Sequence, residues 1–278
     1  MVVCICGNIN EDIILGIDAF PAFHEKRRAE TLTRSYGGSG ANTCWWLSSL
    51  GTSARMLGCV GRDSAGIGAL SALRDAGADT QHVKESAKAT GVAVVLSCGQ
   101  DKRMVKYTGA NEDIALNGGE MEGCTHLHLT SLPLNVTAAA IEHARARGAT
   151  VSWDPSELFF PELLDGVDIL FMNEDDYRRQ VRGTDLSAVG MMVVMLNGGG
   201  CLITGTGRVP TIDVPMVDST GAGDAFAAGF VHAWTRGQDP RRCGALAVAC
   251  SARAIRDFGA RGGFTSAEDI ETLARTLD

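Results

Sequence analysis

At 278 residues, with 45% hydrophobic and 21% charged positions, the chain has the composition of a globular protein and enough length for one large core. Its net charge of −8 argues against a surface built for nucleic acid or an anionic membrane. No apolar run reaches the roughly 18 residues of a membrane span, and the short V-V-C-I-C before a glycine turn does not resemble a signal peptide, so a cytoplasmic location is expected.

In chain order, Val2–Cys6 reads as a buried strand, followed by G-N-I-N-E-D. Asn10 and Asp12 then lie just past the carboxyl end of that strand, where α/β proteins bind ligands. The Asn-x-Asp alternation suits vicinal hydroxyls; a solvated turn is the alternative. Ile13–Tyr36 is more polar and reads as β-ribbon. Gly37-Gly38-Ser39-Gly40-Ala41-Asn42 leads into a helix over Ala41–Leu50, closed by Gly51. The paired glycines let backbone pass close to a ligand, and Asn42 offers both donor and acceptor to a polyol; a sharp turn alone is the alternative.

A strand over Ala54–Val60 and a helix over Ala65–Ala76 come next, then a second ribbon over Gly91–Asn111 that turns at G-Q-D-K. Together the ribbons read as a small sheet projecting from the main domain. It is either a lid that excludes water from a reaction or an edge decoration. Strands over His126–Thr130, Thr150–Asp154, Ile169–Asn173 and Met192–Leu196 alternate with helices over Val136–Arg147 and Glu174–Val181. Such alternation predicts a mostly parallel sheet covered on both faces, and no linker or repeat divides the chain, so residues 1–278 are expected to form one domain.

His126 and His128 share a strand face, but without a third ligand they read as packed or hydrogen-bonded side chains. The nine cysteines are scattered through apolar segments with no Cys-x-x-Cys, as expected of small buried hydrophobes in a reducing compartment. Asn173-Glu174-Asp175-Asp176 ends a strand and opens a helix; these acids either hold Mg²⁺ through waters or serve as helix-start carboxylates. The P-loop pattern is absent, and Gly7-Asn8-Ile9 after the first strand does not fit a dinucleotide fingerprint.

Helices fill the last third, over Ala222–Trp234, Pro240–Phe258 and Ser266–Leu277. They are introduced by Asp218–Phe226, D-S-T-G-A-G-D-A-F. A helix start carries unpartnered N–H groups and partial positive charge, and glycine lets an anion approach them. Asp224 beside such a phosphate cradle repels what the cradle holds unless it has a chemical task. The task expected is to accept a proton from a hydroxyl as that hydroxyl attacks phosphorus.

Several of these motifs occur together in one family. The chain resembles the ribokinase-like, or PfkB, carbohydrate kinases over essentially its full length: in G-N-I-N-E-D, G-G-S-G-A-N, G-C-V-G-R-D-S-A-G at 58–66, T-G-A-N after the second ribbon, and D-S-T-G-A-G-D-A-F. The resemblance implies a three-layer α/β/α domain with a mostly parallel sheet and a β-lid, at about 13–36 and 91–111, that often forms a homodimer contact. It implies ATP and Mg²⁺ as cofactors and Asp224 as catalytic base, with Gly221, Ala222 and Gly223 forming an anion hole. Asn10, Asp12, Gly38, Ser39 and Asn42 would hold the acceptor, and Asn173, Asp176 and Thr220 the nucleotide and its metal. Asp218 and Thr220 also match positions beside which many members bind a monovalent cation such as K⁺.

The chain departs from the family pattern at Asp176, which stands where the family has Glu, in the short Arg182–Leu196 segment, and at Asn197–Gly200, which replaces a leucine-glycine turn. The implied activity is phosphorylation of a primary hydroxyl of a small sugar. A nucleoside acceptor stacked on Trp45, Trp46, Phe20, Phe23 or Tyr107 is the alternative, and a non-catalytic sensor of sugar or nucleotide is a third.

Overall fold

The computed structural model describes residues 1–99 and 101–277. The chain enters through β1 (Val2–Cys6), β2 (Asn10–Gly16) and β3 (Thr31–Gly37), then α1 (Ser39–Ser49), β4 (Ala54–Leu57), β5 (Cys59–Gly61) and α2 (Ser64–Asp75). It continues through β6 (Lys84–Ser86), β7 (Gly91–Cys98), β8 (Asp101–Tyr107), β9 (Cys124–Thr130), α3 (Leu134–Arg145) and β10 (Thr150–Asp154). Next come β11 (Ile169–Asn173), α4 (Glu174–Gln180), β12 (Met191–Leu196), β13 (Gly200–Ile203) and β14 (Gly207–Val209), before α5 (Ala222–Trp234), α6 (Pro240–Ala254) and α7 (Ala267–Ala274).

The central sheet runs β14-β13-β12-β11-β10-β9-β1-β4. From β12 to β4 every pairing is parallel, and β13 and β14 add an antiparallel edge. The apolar runs are continuous because both faces are covered. In β1, Val3 and Ile5 join a core with Trp46, Phe226, Phe230 and Leu246 of α1, α5 and α6, whereas Cys4 and Cys6 face a second core with Val136 and Ile141 of α3. The period of two along β11 divides Ile169 and Phe171 from Leu170 and Met172 in the same way. This is the mostly parallel, helix-covered sheet that the alternation predicts.

Some boundaries shift. The run Ala54–Val60 is divided: β4 stops at Leu57, and β5 leaves the central sheet to pair with β6. The helix expected over Pro240–Phe258 ends at Ala254. β13 and β14 fall in a glycine-rich stretch whose short strands leave no clear alternation to find. All nine cysteines are unpaired. His126 bonds Thr150 Oγ1 at 2.7 Å and Ser152 Oγ at 2.8 Å, and His128 bonds Ser152 Oγ at 2.9 Å, so both rings pack as hydrogen-bonded core groups. Among the described residues no helix is long and apolar enough to cross a membrane.

The two polar ribbons form one four-stranded sheet, β3-β2-β7-β8, because β2 pairs with β7 in parallel. Residues 17–30 lie outside any strand; of the turn expected at G-Q-D-K, Gln100 lies outside the described residues, and Asp101 and Lys102 belong to β8. Asn10 and Asp12 belong to β2 instead of a turn. Ser35, Asp12, Ala93 and Lys106 form one row across the four strands, hence one face.

Candidate active site

The floor of the site is the start of α5. Gly221 has φ +75° and is the helix N-cap; a β-carbon there would lie 2.3 Å from Ala260 Cβ, so the position admits only glycine. Asp218, just upstream, is buried and ties the turn together. Its Oδ1 accepts from Thr220 N at 2.8 Å, Thr220 Oγ1 at 2.7 Å and Lys102 Nζ, and its Oδ2 accepts from Gly259 N at 3.0 Å. Burial alone would raise its pKa, but the Lys102 ammonium and these donors outweigh it and hold the carboxyl at about 2. The Thr220 hydroxyl serves this cluster, also meeting Lys102 Nζ at 3.1 Å.

Asp224 lies in the first turn of α5 and is half-buried. Asn42 Nδ2 donates to its Oδ2 at 2.8 Å, and Asn42 Oδ1 accepts from Arg261 Nε at 3.1 Å. Burial pushes Asp224 from an ordinary 3.8 to about 7; Asn42 and Ser39 pull it down, while the Asp154 charge pushes it further up. A carboxyl poised near neutrality is suited to take and release a proton.

On one side of Asp224 lies a cavity of about 510 Å³, walled by residues from the carboxyl ends of β10, β11 and β12 and the start of α5. Ala222, Gly223, Asn173, Asp176 and Asp154 line it, with an apolar shelf of Ile212, Met216, Val248 and Ile255. Asn173 caps α4 by accepting from Asp176 N at 2.8 Å, and Asp176 pairs with Arg179. Asp154 was not foreseen as a site residue; burial raises it to about 6, and Asp176 adds to the shift. Its place at the end of a parallel strand was the available signal.

On the other side, β2 and α1 bring Asp12, Asn10, Gly38 and Asn42 together. The extended Gly37 leaves room that the Asp12 carboxylate fills, since a β-carbon at Gly37 would lie 2.0 Å from Asp12 Oδ2. Burial raises Asp12 to about 6, opposed by Arg261 and Lys106. Asn10 Oδ1 accepts from Asn111 Nδ2 at 2.9 Å, and Asn111 also bonds the Ile9 N–H at 2.9 Å. Asn111 thereby locks the T-G-A-N turn onto the entry of β2. Asn111, Lys102 and Arg261 are further residues of the site that sequence reasoning did not assign.

No group of three or more His, Cys, Asp or Glu dense enough to hold a metal exists among the described residues. Asp154, Asp176 and Asp224 on one cavity wall instead suit a cation that arrives on phosphates and keeps its waters.

An α/β/α fold whose cavity is lined by a glycine-led helix start and a near-neutral carboxyl suits a group-transfer enzyme. Residues 2–267 match the model of the pfkB family carbohydrate kinase, and the chain belongs to that family. It is therefore a kinase, transferring a phosphoryl group to an alcohol. It is 31% identical, over 98% of each chain, to an ATP-dependent ribose-1-phosphate kinase from Halopiger xanaduensis. Its fold is that of a ribokinase from Thermotoga maritima (TM-score 0.88, 23% identity, 99% of each chain). It also matches a nucleoside kinase from Burkholderia thailandensis in complex with inosine (TM-score 0.89, 21% identity, 99% of this chain and 96% of that one).

Proposed function

We propose that the protein uses ATP to phosphorylate a primary hydroxyl of a small sugar, with Asp224 as general base. The observation that carries this reading is the position of Asp224, which both lines the nucleotide-sized cavity and is hydrogen-bonded to Asn42 on the opposite side. The acceptor sits against Asn10, Asp12, Gly38, Ser39 and Asn42, with its hydroxyl directed at Asp224. In its ionised form Asp224 accepts the hydroxyl proton as the oxygen attacks phosphorus. Gly221, Ala222 and Gly223 turn the positive end of α5 toward the transferring group.

The adenine occupies the apolar shelf. Asn173 and Asp176 would organise the phosphate end, and Asp154 and Asp176 would hold a Mg²⁺ ion through its waters; when bound, the ion supplies positive charge against the phosphates. At the position matched to a monovalent-cation site, the Lys102 ammonium supplies the positive charge beside the Asp218 carboxylate.

The four-stranded sheet acts as a lid on this reading, and the Lys102 contact to Asp218 and Thr220 closes it over the start of α5. Its other face, where Leu32, Val105 and Tyr107 are exposed, supports a homodimer contact. The nine unpaired cysteines suit a reducing, cytoplasmic compartment. A sugar is favoured over a nucleoside because the candidate stacking rings are engaged elsewhere or turned to solvent. Trp46 is fully buried, Trp45 meets Trp46 and Phe264 edge-on, Phe23 is exposed, and Phe20 lies under Arg103.

An ADP-release screen over sugars, sugar phosphates and nucleosides with ATP and Mg²⁺ tests this reading. Sugar-type acceptors should support release at least tenfold above nucleosides. Preference for a nucleoside would move the assignment to the second acceptor class, and ligand binding without any ADP release would point to a sensor.

A further inference from the structure

Arg261 is not used by the chemistry above, and its environment is unusual for a structural arginine. It lies in the glycine-rich loop between α6 and α7, which is fastened at two points: Trp46 Nε1 donates to Ala260 O at 2.9 Å, and Gly259 N donates to Asp218 at 3.0 Å. The guanidinium faces the Trp45 ring at 5.8 Å and makes one hydrogen bond, from Nε to Asn42 Oδ1 at 3.1 Å. Asp12 and Asp224 lie near enough to be felt by the charge, yet neither forms an ion pair with it. Its Nη2 is enclosed by protein and has no partner. A guanidinium carries five donors, and an enclosed donor without an acceptor is destabilising unless something else supplies one. Lys106, in the same sheet row as Asp12, adds a second positive charge facing the acceptor residues.

We propose that Arg261, with Lys106, recognises an anionic substituent on the acceptor sugar, a phosphate ester in preference to a carboxylate. This rests on the kinase reading and narrows its substrate class from neutral sugars to sugar phosphates with a free primary hydroxyl. A planar guanidinium held by its Nε and by an aromatic face presents its remaining donors in the fork that phosphate oxygens accept. The Asp12 carboxylate beside it remains available for the sugar hydroxyls.

The experiment compares wild type, Arg261→Met and Arg261→Lys with a pentose 1-phosphate, the free pentose and the matching pentonic acid. It reads steady-state ADP release and, independently, calorimetric acceptor binding without nucleotide. Wild type should prefer the pentose 1-phosphate. Arg261→Met should raise its KM about 100-fold, a loss at least tenfold larger than the fall in kcat/KM for the free pentose, which feels only the lost Arg261–Asn42 contact. Arg261→Lys should recover part of the loss, and thermal melts should show all three proteins folded.

A wild-type preference for the pentonic acid, lost in Arg261→Met, keeps the anion role and changes the group to a carboxylate. An equal loss on charged and neutral acceptors, or wild-type indifference between them, overturns the proposal. Should no acceptor be phosphorylated, binding still decides it: pentose 1-phosphate bound by wild type and lost in Arg261→Met upholds the Arg261 assignment while the kinase reading falls. Equal binding by both proteins sinks the assignment.

Discussion

Replacing Asp224 by Asn is expected to lower kcat by about 10²–10⁴-fold, the contribution of a positioned general base. The substitution keeps the shape of the side chain and retains an oxygen to accept from Asn42 Nδ2, whose bond to Asp224 Oδ2 is 2.8 Å. The cavity walls contributed by Ile212, Met216, Val248 and Asn173 are untouched, so ATP affinity should change only a few-fold. Stability should move the opposite way from activity. The folded pKa of about 7 lies above the ordinary 3.8, so the stability this group contributes at acid pH is lost as pH rises from about 4 through 7. Above that window the wild type keeps a charge in a desolvated site, which Asn removes. At pH 8 the Asp224→Asn protein should therefore melt no lower than wild type. Turnover within a few-fold of wild type would remove Asp224 from the role of base.

A second large effect is expected at Gly221→Ala. The left-handed backbone conformation is unfavourable for alanine by about 1–2 kcal/mol. The added methyl would also stand 2.3 Å from Ala260 Cβ and 2.7 Å from its Cα, atoms with no freedom to rotate aside. Either the start of α5 or the loop carrying Arg261 must shift. Urea unfolding should show a loss of about 2–4 kcal/mol, and kcat/KM should fall about 100-fold because Ala222, Gly223 and Asp224 of the cavity wall follow directly on this turn. Gly223→Ala is the control: a methyl there meets nothing closer than Met195, at 3.9 Å. Stability should be nearly unchanged in that protein, and any defect should appear in nucleotide KM. Equal stability of the two variants would mean that the Gly221 turn is not under the constraint described.

How much of this was legible in the chain depends on whether the information is local. The nonapeptide Asp218–Phe226 holds a glycine cap, a helix start and a carboxyl within one turn, so its chemistry is readable without a fold. Asn10 and Asp12 were singled out because they follow the carboxyl end of a strand, where such sites form, and Asn42 because it closes the paired-glycine run G-G-S-G-A-N. Arg261 was not found, since its meaning comes from contact with Asn42 across 219 positions and from a missing partner that only packing reveals. Asn111 likewise acts on Ile9 from 102 residues away. Among the strands, continuous apolar runs such as Ile169–Asn173 were plain. The β6, β13 and β14 segments are three or four residues long with exposed positions, too short to impose a period. Asp12 shows a subtler limit: it reads as a ligand-binding or turn residue just past β1, but the parallel pairing of β2 with β7 draws it into a strand and burial raises its pKa.

The account turns on whether a single carboxyl titrating near neutrality controls phosphoryl transfer, and the pH dependence of kcat/KM with an uncharged pentose acceptor at saturating ATP measures that directly. Asp224 must be ionised to accept the proton, so activity should fall about tenfold per pH unit below an apparent pKa near 7, the value to which burial raises this group. The residual activity of Asp224→Asn should lack that limb. A wild-type profile flat down to pH 5, or a limb that survives unchanged in Asp224→Asn, would contradict the assignment of Asp224 as the base.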